Sequence, residues 1–201
     1  MENEYRISMQ QNYFCLCLSQ IKEYESICEY IEELNAKQVS ENEIHIVEMN
    51  LAVQYERRER AMLAPIVFAA MCIEAFVYDY GASHLGDAYI KKYLDKLDIT
   101  SKLVVVTDLV TGEKFPTEGQ AFEGLKNLVK SRNSLVHFKS KKFDINDLGK
   151  AAKFRKELND KLEKSMYESV ETIRLIMKEM DRIHGFRGFY EYSVEPLQCH
   201  A

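Results

Sequence analysis

The chain has 201 residues and a formal net charge of −5, with 46% apolar and 29% charged residues. A chain of this length buries about 70% of its unfolded surface, so one domain can fold without disulfide or metal staples, and the apolar share excludes global disorder. Eight glycines and three prolines leave too few turns for a β-sandwich or barrel. The negative net charge confines any phosphate-binding function to a local patch.

Five cysteines (Cys15, Cys17, Cys28, Cys72 and Cys199) form no C-x-x-C pair, which predicts reduced, cytosolic usage. The first residues lack a basic region followed by an apolar stretch, so no secretory signal is read. The longest apolar run, Ala61 to Ile73, is shorter than the roughly 20 residues a membrane span needs. The expectation is a soluble, cytoplasmic protein with no membrane partner.

Glycine is absent before Gly81 and Pro65 is the only proline in that stretch, so the first eighty residues read as long helices. Phe14, Cys17, Ile21, Tyr24, Cys28 and Ile31 recur at alternating spacings of three and four, with glutamates filling the outward positions. That pattern is an amphipathic N-terminal helix within residues 1–40, closed by a polar loop from Asn35 to Asn42. A second helix is predicted over 43–80, polar first and apolar nearly all round from Ala61, kinked at Pro65 and ended by Gly81 and Gly86. A short helix follows over 87–97, and 101–110 reads either as a helix or, through Leu103-Val104-Val105-Val106, as a strand.

After a loop over 111–116, another helix is predicted from 118 to 138, then a basic connector from Lys139 to Phe143. Asp144 is expected to cap a last helix running to His184, with Gly185 as its stop. Its inner stripe is Leu162, Met166, Val170, Ile173, Met177 and Met180. Residues 185–201 read as an irregular aromatic tail. The fold expected is a single all-α domain over 1–201: a bundle of about four main helices with short additional ones.

One segment stands apart chemically. Between Glu123 and Asp144 there is no acid, while Lys126, Lys130, Arg132, Lys139, Lys141 and Lys142 fall inside it. A positive segment in an acidic protein is either the footprint of a phosphate ligand or a solvated face balancing acidic neighbours. Phe122, Leu125, Val129 and Val136 follow the core spacing, and Arg132 takes the place of the next apolar residue. An arginine in that register must be paired or line a cleft. Lys126, Lys130, Asn133 and His137 share a neighbouring face, with Arg132 about 140° from His137 at ~100° per residue.

Arg132-Asn133-Ser134-Leu135-Val136-His137 resembles the R-x4-6-H motif, with a polar residue after the arginine, of the HEPN superfamily of helical bundles. The segment Ala69 to Tyr78 is similar to the central helix of several bacterial members, and the resemblance spans roughly residues 60 to 180. It implies a metal-independent endoribonuclease of toxin–antitoxin or phage-defence type, without cofactor. It also implies a homodimer in which the motifs of two protomers share one cleft, with an antitoxin or regulatory protein as a further partner. Members paired with a nucleotidyltransferase antitoxin often carry a tyrosine two residues after the histidine; Lys139 stands there instead.

The residue types fit that chemistry. The 2′-OH of RNA serves as nucleophile on the adjacent phosphate, a histidine moves the proton, and an arginine holds the charge growing on the phosphoryl oxygens. Asn133 would orient the imidazole or bind a phosphate oxygen, and the five lysines would bind the RNA backbone. Glu74, an acid interrupting an apolar helix, reads either as an orienting carboxylate facing the Arg132–His137 cleft or as a buried salt-bridge partner of Arg132. Tyr78, one turn on, reads as packing. No metal site is legible: His45, His84 and His184 lack partners at ligand spacing, and Cys199-His200 is a poor zinc candidate. No Gly-rich phosphate loop, G-x-S-x-G or H-E-x-x-H occurs. Two further readings stay open, a non-catalytic HEPN-like module holding RNA or nucleotide and a bundle that binds only a protein partner.

Overall fold

The computed structural model describes residues 6–37, 40, 43–144, 147–185 and 188–189. Nearly all of them are helical: α1 (Gln10–Ala36), α2 (Ile44–Leu85), α3 (Asp87–Tyr89) running into a π-helical turn (Ile90–Leu94), α4 (Ile99–Thr111), α5 (Gln120–Val136) and α6 (Leu148–His184). The all-α bundle read from the sequence is the fold. The aromatic tail beyond Phe189, the pair Cys199-His200 and part of the loop after Ala36 lie outside the described residues.

Helices α1 and α2 form an antiparallel hairpin, tied by Arg57–Glu23 at 3.3 Å and by the Cys17 thiol against the Pro65 carbonyl at 3.5 Å. Helix α6 lies beside α2 and runs the same way, bonded to it through Arg155–Glu59 near its start and Tyr80–His184 at its end. Helix α5 is antiparallel to α6, with Ser131 Oγ 3.1 Å from Ser165 Oγ. Between these elements sit Phe14, Ile66, Ile73, Leu103, Leu125 and the whole predicted α6 stripe, all buried. Cys17, Cys28 and Cys72 are free thiols, but Cys15 is disulfide-bonded, which corrects the wholly reduced cysteine usage expected from the sequence. Burial pushes Cys17 up to about 12, so it packs as a small apolar group.

Helix α2 divides as its sequence does. Every buried residue lies between Ala61 and Ala82, and residues 44–60 include none. By length and composition α2 is apolar enough to cross a membrane, yet 56% of its apolar window is packed inside the bundle.

Several boundaries differ from expectation. Gly81 does not end α2 but lies within it; a Cβ there would sit 2.8 Å from Ile90 Cδ1 and 3.1 Å from Val106 Cγ1. The glycine is there for close approach, and Gly86, with φ of 87°, makes the stop. Pro65 is buried inside an unbroken helix. The predicted 87–97 helix is one α-turn followed by the π-helical turn, and the ambiguous 101–110 segment is helical. Asp98 decides the latter: its carboxylate accepts from the backbone N–H groups of Thr100 and Ser101 at 3.0 and 3.1 Å, a full N-cap. Asp144 does not cap α6. Asp147 does, accepting from Lys150 N at 3.2 Å, and Gly185 closes the helix at φ 70°.

Candidate functional site

The site is built on the last turn of α5. Ala121, Leu125 and Leu128 are buried, and the same stripe continues through half-buried Arg132 and Leu135. Arg132 therefore occupies the inner register expected of it. Val136 does not: it is the last residue of α5 and is 58% exposed. Gly124 allows the close approach to α6, since a Cβ at that position would lie 2.7 Å from Thr172 Oγ1. The groove between the two helices has a volume of about 260 Å³, and its lining mixes small polar residues such as Ser131 and Ser165 with leucines and with Glu123, Glu168 and Glu171.

Lys126, Lys130, Asn133 and His137 are all exposed, so the second face predicted for α5 faces solvent as a unit. Arg132 Nη1 donates to Asn133 Oδ1 at 3.1 Å. His137 ends the helix: its backbone N–H donates to the Asn133 carbonyl at 3.0 Å while its φ of −107° and ψ of 25° turn the chain away. The imidazole is left at the exposed helix end. The structure thus places Arg132, Asn133 and His137 within the final turn and cap of one helix.

The lysines do not form one uniform patch. Lys126 is paired with Glu123 at 2.7 Å. Lys139, Lys141 and Lys142 follow His137 on an exposed, non-helical connector. Lys141 Nζ sits 4.2 Å from the Phe154 ring centre, and Phe143 packs on the same ring at 5.4 Å, which folds the connector back along α6. Phe138 and Val136, both more than half exposed, flank the histidine.

Glu74 is a correction. It is exposed and lines a different depression, about 500 Å³ in volume, with Tyr13, Tyr78, Asp95, Asp98 and Lys102 from α1, α2 and the start of α4. It is therefore neither buried beside Arg132 nor an orienting group for His137. The acid marks the solvent-facing side of α2 rather than a polar break in its core. Tyr78 is structural: its hydroxyl donates to Asp87 Oδ1 at 2.8 Å. Arg6 completes that cluster at 2.6 Å, and the two donors hold the Asp87 carboxyl at about 2, well below the usual range.

One grouping has no counterpart in the sequence reading. His84 and His184, read as lacking partners, lie with ring centres 5.5 Å apart at the ends of α2 and α6. A hundred residues separate them, so no local spacing signals the contact. Chemically, the α5 terminus offers a guanidinium able to grip a phosphate through two N–H groups, an exposed imidazole, and a following cationic connector. No family model, curated protein or solved structure matches the chain.

Proposed function

We propose that the protein is a metal-independent endoribonuclease of HEPN type, a cytoplasmic toxin or phage-defence effector acting as a homodimer. The observation that carries this reading is the clustering of half-buried Arg132, exposed Asn133 and exposed His137 on one helix end, with Lys139, Lys141 and Lys142 directly beyond. In the proposed reaction the RNA 2′-oxygen bonds to the adjacent phosphorus and the 5′-oxygen leaves. His137 of one protomer takes the 2′-OH proton and His137 of the other delivers a proton to the leaving oxygen, giving a 2′,3′-cyclic phosphate and a 5′-OH. Arg132 holds the phosphoryl oxygens as their charge grows. The exposed side chains of Val136 and Phe138 beside the motif support a second copy packing there. An antitoxin or regulator that masks the same end would complete the system.

The test is cleavage of single-stranded RNA by the purified chain in excess chelator. Cyclic-phosphate ends, and no cleavage of a substrate with hydrogen in place of the 2′-OH, are expected. Equal cleavage by wild type and His137→Ala would overturn the reading. Phe138, an exposed ring next to Lys139, favours a second reading, a module that holds RNA by stacking and charge without cutting it. Retention of intact RNA under the same conditions would select it.

A further inference from the structure

Helices α2 and α6 run side by side and terminate together, at Leu85 and His184. At this end Tyr80 contacts both histidines. Its backbone carbonyl is 2.8 Å from His84 Nδ1, and its hydroxyl is 2.8 Å from His184 Nδ1. Phe189 closes the group, 5.5 Å from the His184 ring centre and 5.4 Å from that of Tyr80. Its position is pinned by its own N–H, which donates to Asp181 Oδ1 at 2.7 Å.

The hydrogen bonds set the tautomers. A carbonyl oxygen only accepts, so His84 Nδ1 carries a proton and, in the neutral ring, Nε2 presents a free lone pair. His184 takes the same form when its Nδ1–H donates to the Tyr80 hydroxyl oxygen. Metal-ligating histidines are oriented in this way, with the non-ligating nitrogen donating to a carbonyl or another oxygen. The spacing agrees. With metal–nitrogen bonds of about 2.0–2.1 Å and ~1.2 Å from nitrogen to ring centre, two imidazoles on a tetrahedral ion have centres about 5.3 Å apart. The observed separation is 5.5 Å.

The electrostatics favour a cation. The carbonyl ends of two long helices converge here, each carrying roughly half a negative charge. His84 is exposed, so an ion can enter from solvent, while the Tyr80 side is closed by the aromatic rings.

We infer that His84 and His184 form a two-histidine site for a divalent first-row transition ion that prefers imidazole, such as Zn²⁺, Ni²⁺ or Cu²⁺. Among the described residues no group of three His, Cys, Asp or Glu side chains is arranged to hold a metal. The pair therefore supplies two ligands, and water fills the remaining positions. Such a site is open and exchangeable, unlike a closed four-ligand structural zinc. It is independent of the RNA reading: Ser131 docks against Ser165, and His184 lies about 28 Å further along α6 at ~1.5 Å per residue.

The experiment uses the untagged full chain, stripped with chelator and titrated with Zn²⁺ and then Ni²⁺ by calorimetry. Wild type is expected to bind one equivalent of either ion. His84→Gln and His184→Gln should each weaken binding at least tenfold, Tyr80→Phe should weaken it by about 10- to 100-fold through lost orientation, and His45→Gln should leave it unchanged. No saturable binding by wild type, or unchanged affinity in His84→Gln, would overturn the inference. His84 is exposed, so that variant decides the matter even if His184→Gln fails to fold.

Discussion

Arg132 and Asn133, neighbours in sequence, are joined side chain to side chain, with Nη1 of the arginine donating to Oδ1 of the asparagine at 3.1 Å. Successive residues on a helix point about 100° apart. The bond therefore draws the guanidinium from the inner register of α5 toward the solvent face that Asn133 shares with His137. Asn133→Ala should release the arginine and lower RNA cleavage by less than Arg132→Ala, for which a loss of ~10²-fold or more is expected. Initial rates on one RNA substrate compare the two. Equal losses would mean that the asparagine acts on RNA directly.

The exposed lysines predict a salt signature. RNA affinity should fall steeply with salt as Lys139, Lys141 and Lys142 displace counterions, and changing all three to alanine should flatten the slope. Lys126 should add little, because Glu123 already pairs with it. Binding isotherms at several salt concentrations give both slopes.

Association is predicted at the same helix end. Val136→Asp with Phe138→Asp should shift a dimer to monomer in sedimentation velocity while leaving helix content unchanged, since both side chains are exposed within one chain. Loss of cleavage together with loss of dimer would show that the site needs both protomers.

Asp98 carries an acid-sensitive contribution to stability. Hydrogen bonds from the Ser101 and Thr100 side chains, then from their backbone N–H groups, hold its carboxyl at about 2. A carboxyl lowered on folding stabilises the protein above its ordinary range, and that contribution is lost as pH falls from about 4 through about 2. Asp98→Ala should cost about 1 kcal/mol near neutrality, the usual value of an N-cap. It should also remove this part of the acid transition, as thermal melts across pH would show.

Gly124→Ala tests the α5–α6 contact. Alanine favours the helix by about 1 kcal/mol, but its Cβ would meet Thr172, a stiff β-branched side chain whose hydroxyl donates to the Glu168 carbonyl at 2.8 Å. The overpacking should dominate, typically by 1–3 kcal/mol, and lower the melting temperature. Adding Thr172→Ala should recover much of the loss.

Much of the fold was legible because its signals are local. Scarcity of glycine and proline predicts long helices, and the α6 stripe from Leu162 to Met180 is a one-dimensional pattern that survives packing unchanged. What failed depends on neighbours distant in sequence. Gly81 looks like a stop, yet it lies within α2, where Ile90 and Val106 crowd the place a Cβ would take. Glu74 looks like a buried charge because its flanks are apolar, although on a helix those flanks point elsewhere. Val136 keeps the core spacing but is the last residue of α5 and stays exposed. The clustering of Arg132, Asn133 and His137 was readable because they lie close together at the end and cap of one helix. The His84–His184 pair was not, since only the parallel course of α2 and α6 creates it.

The division of α2 has a dynamic consequence. From Ala61 onward the helix is enclosed by the bundle, whereas residues 44–60 include no fully buried residue, and Glu59 bonds to Arg155 and Asn159 of α6. Amide protons before that clamp are therefore shielded by a two-helix hairpin, and those after it by the full core. Hydrogen exchange should separate one continuous helix into two kinetic segments. The half before Glu59 should open in local fluctuations at low free energy, and the half after Ala61 should exchange only when the whole domain unfolds.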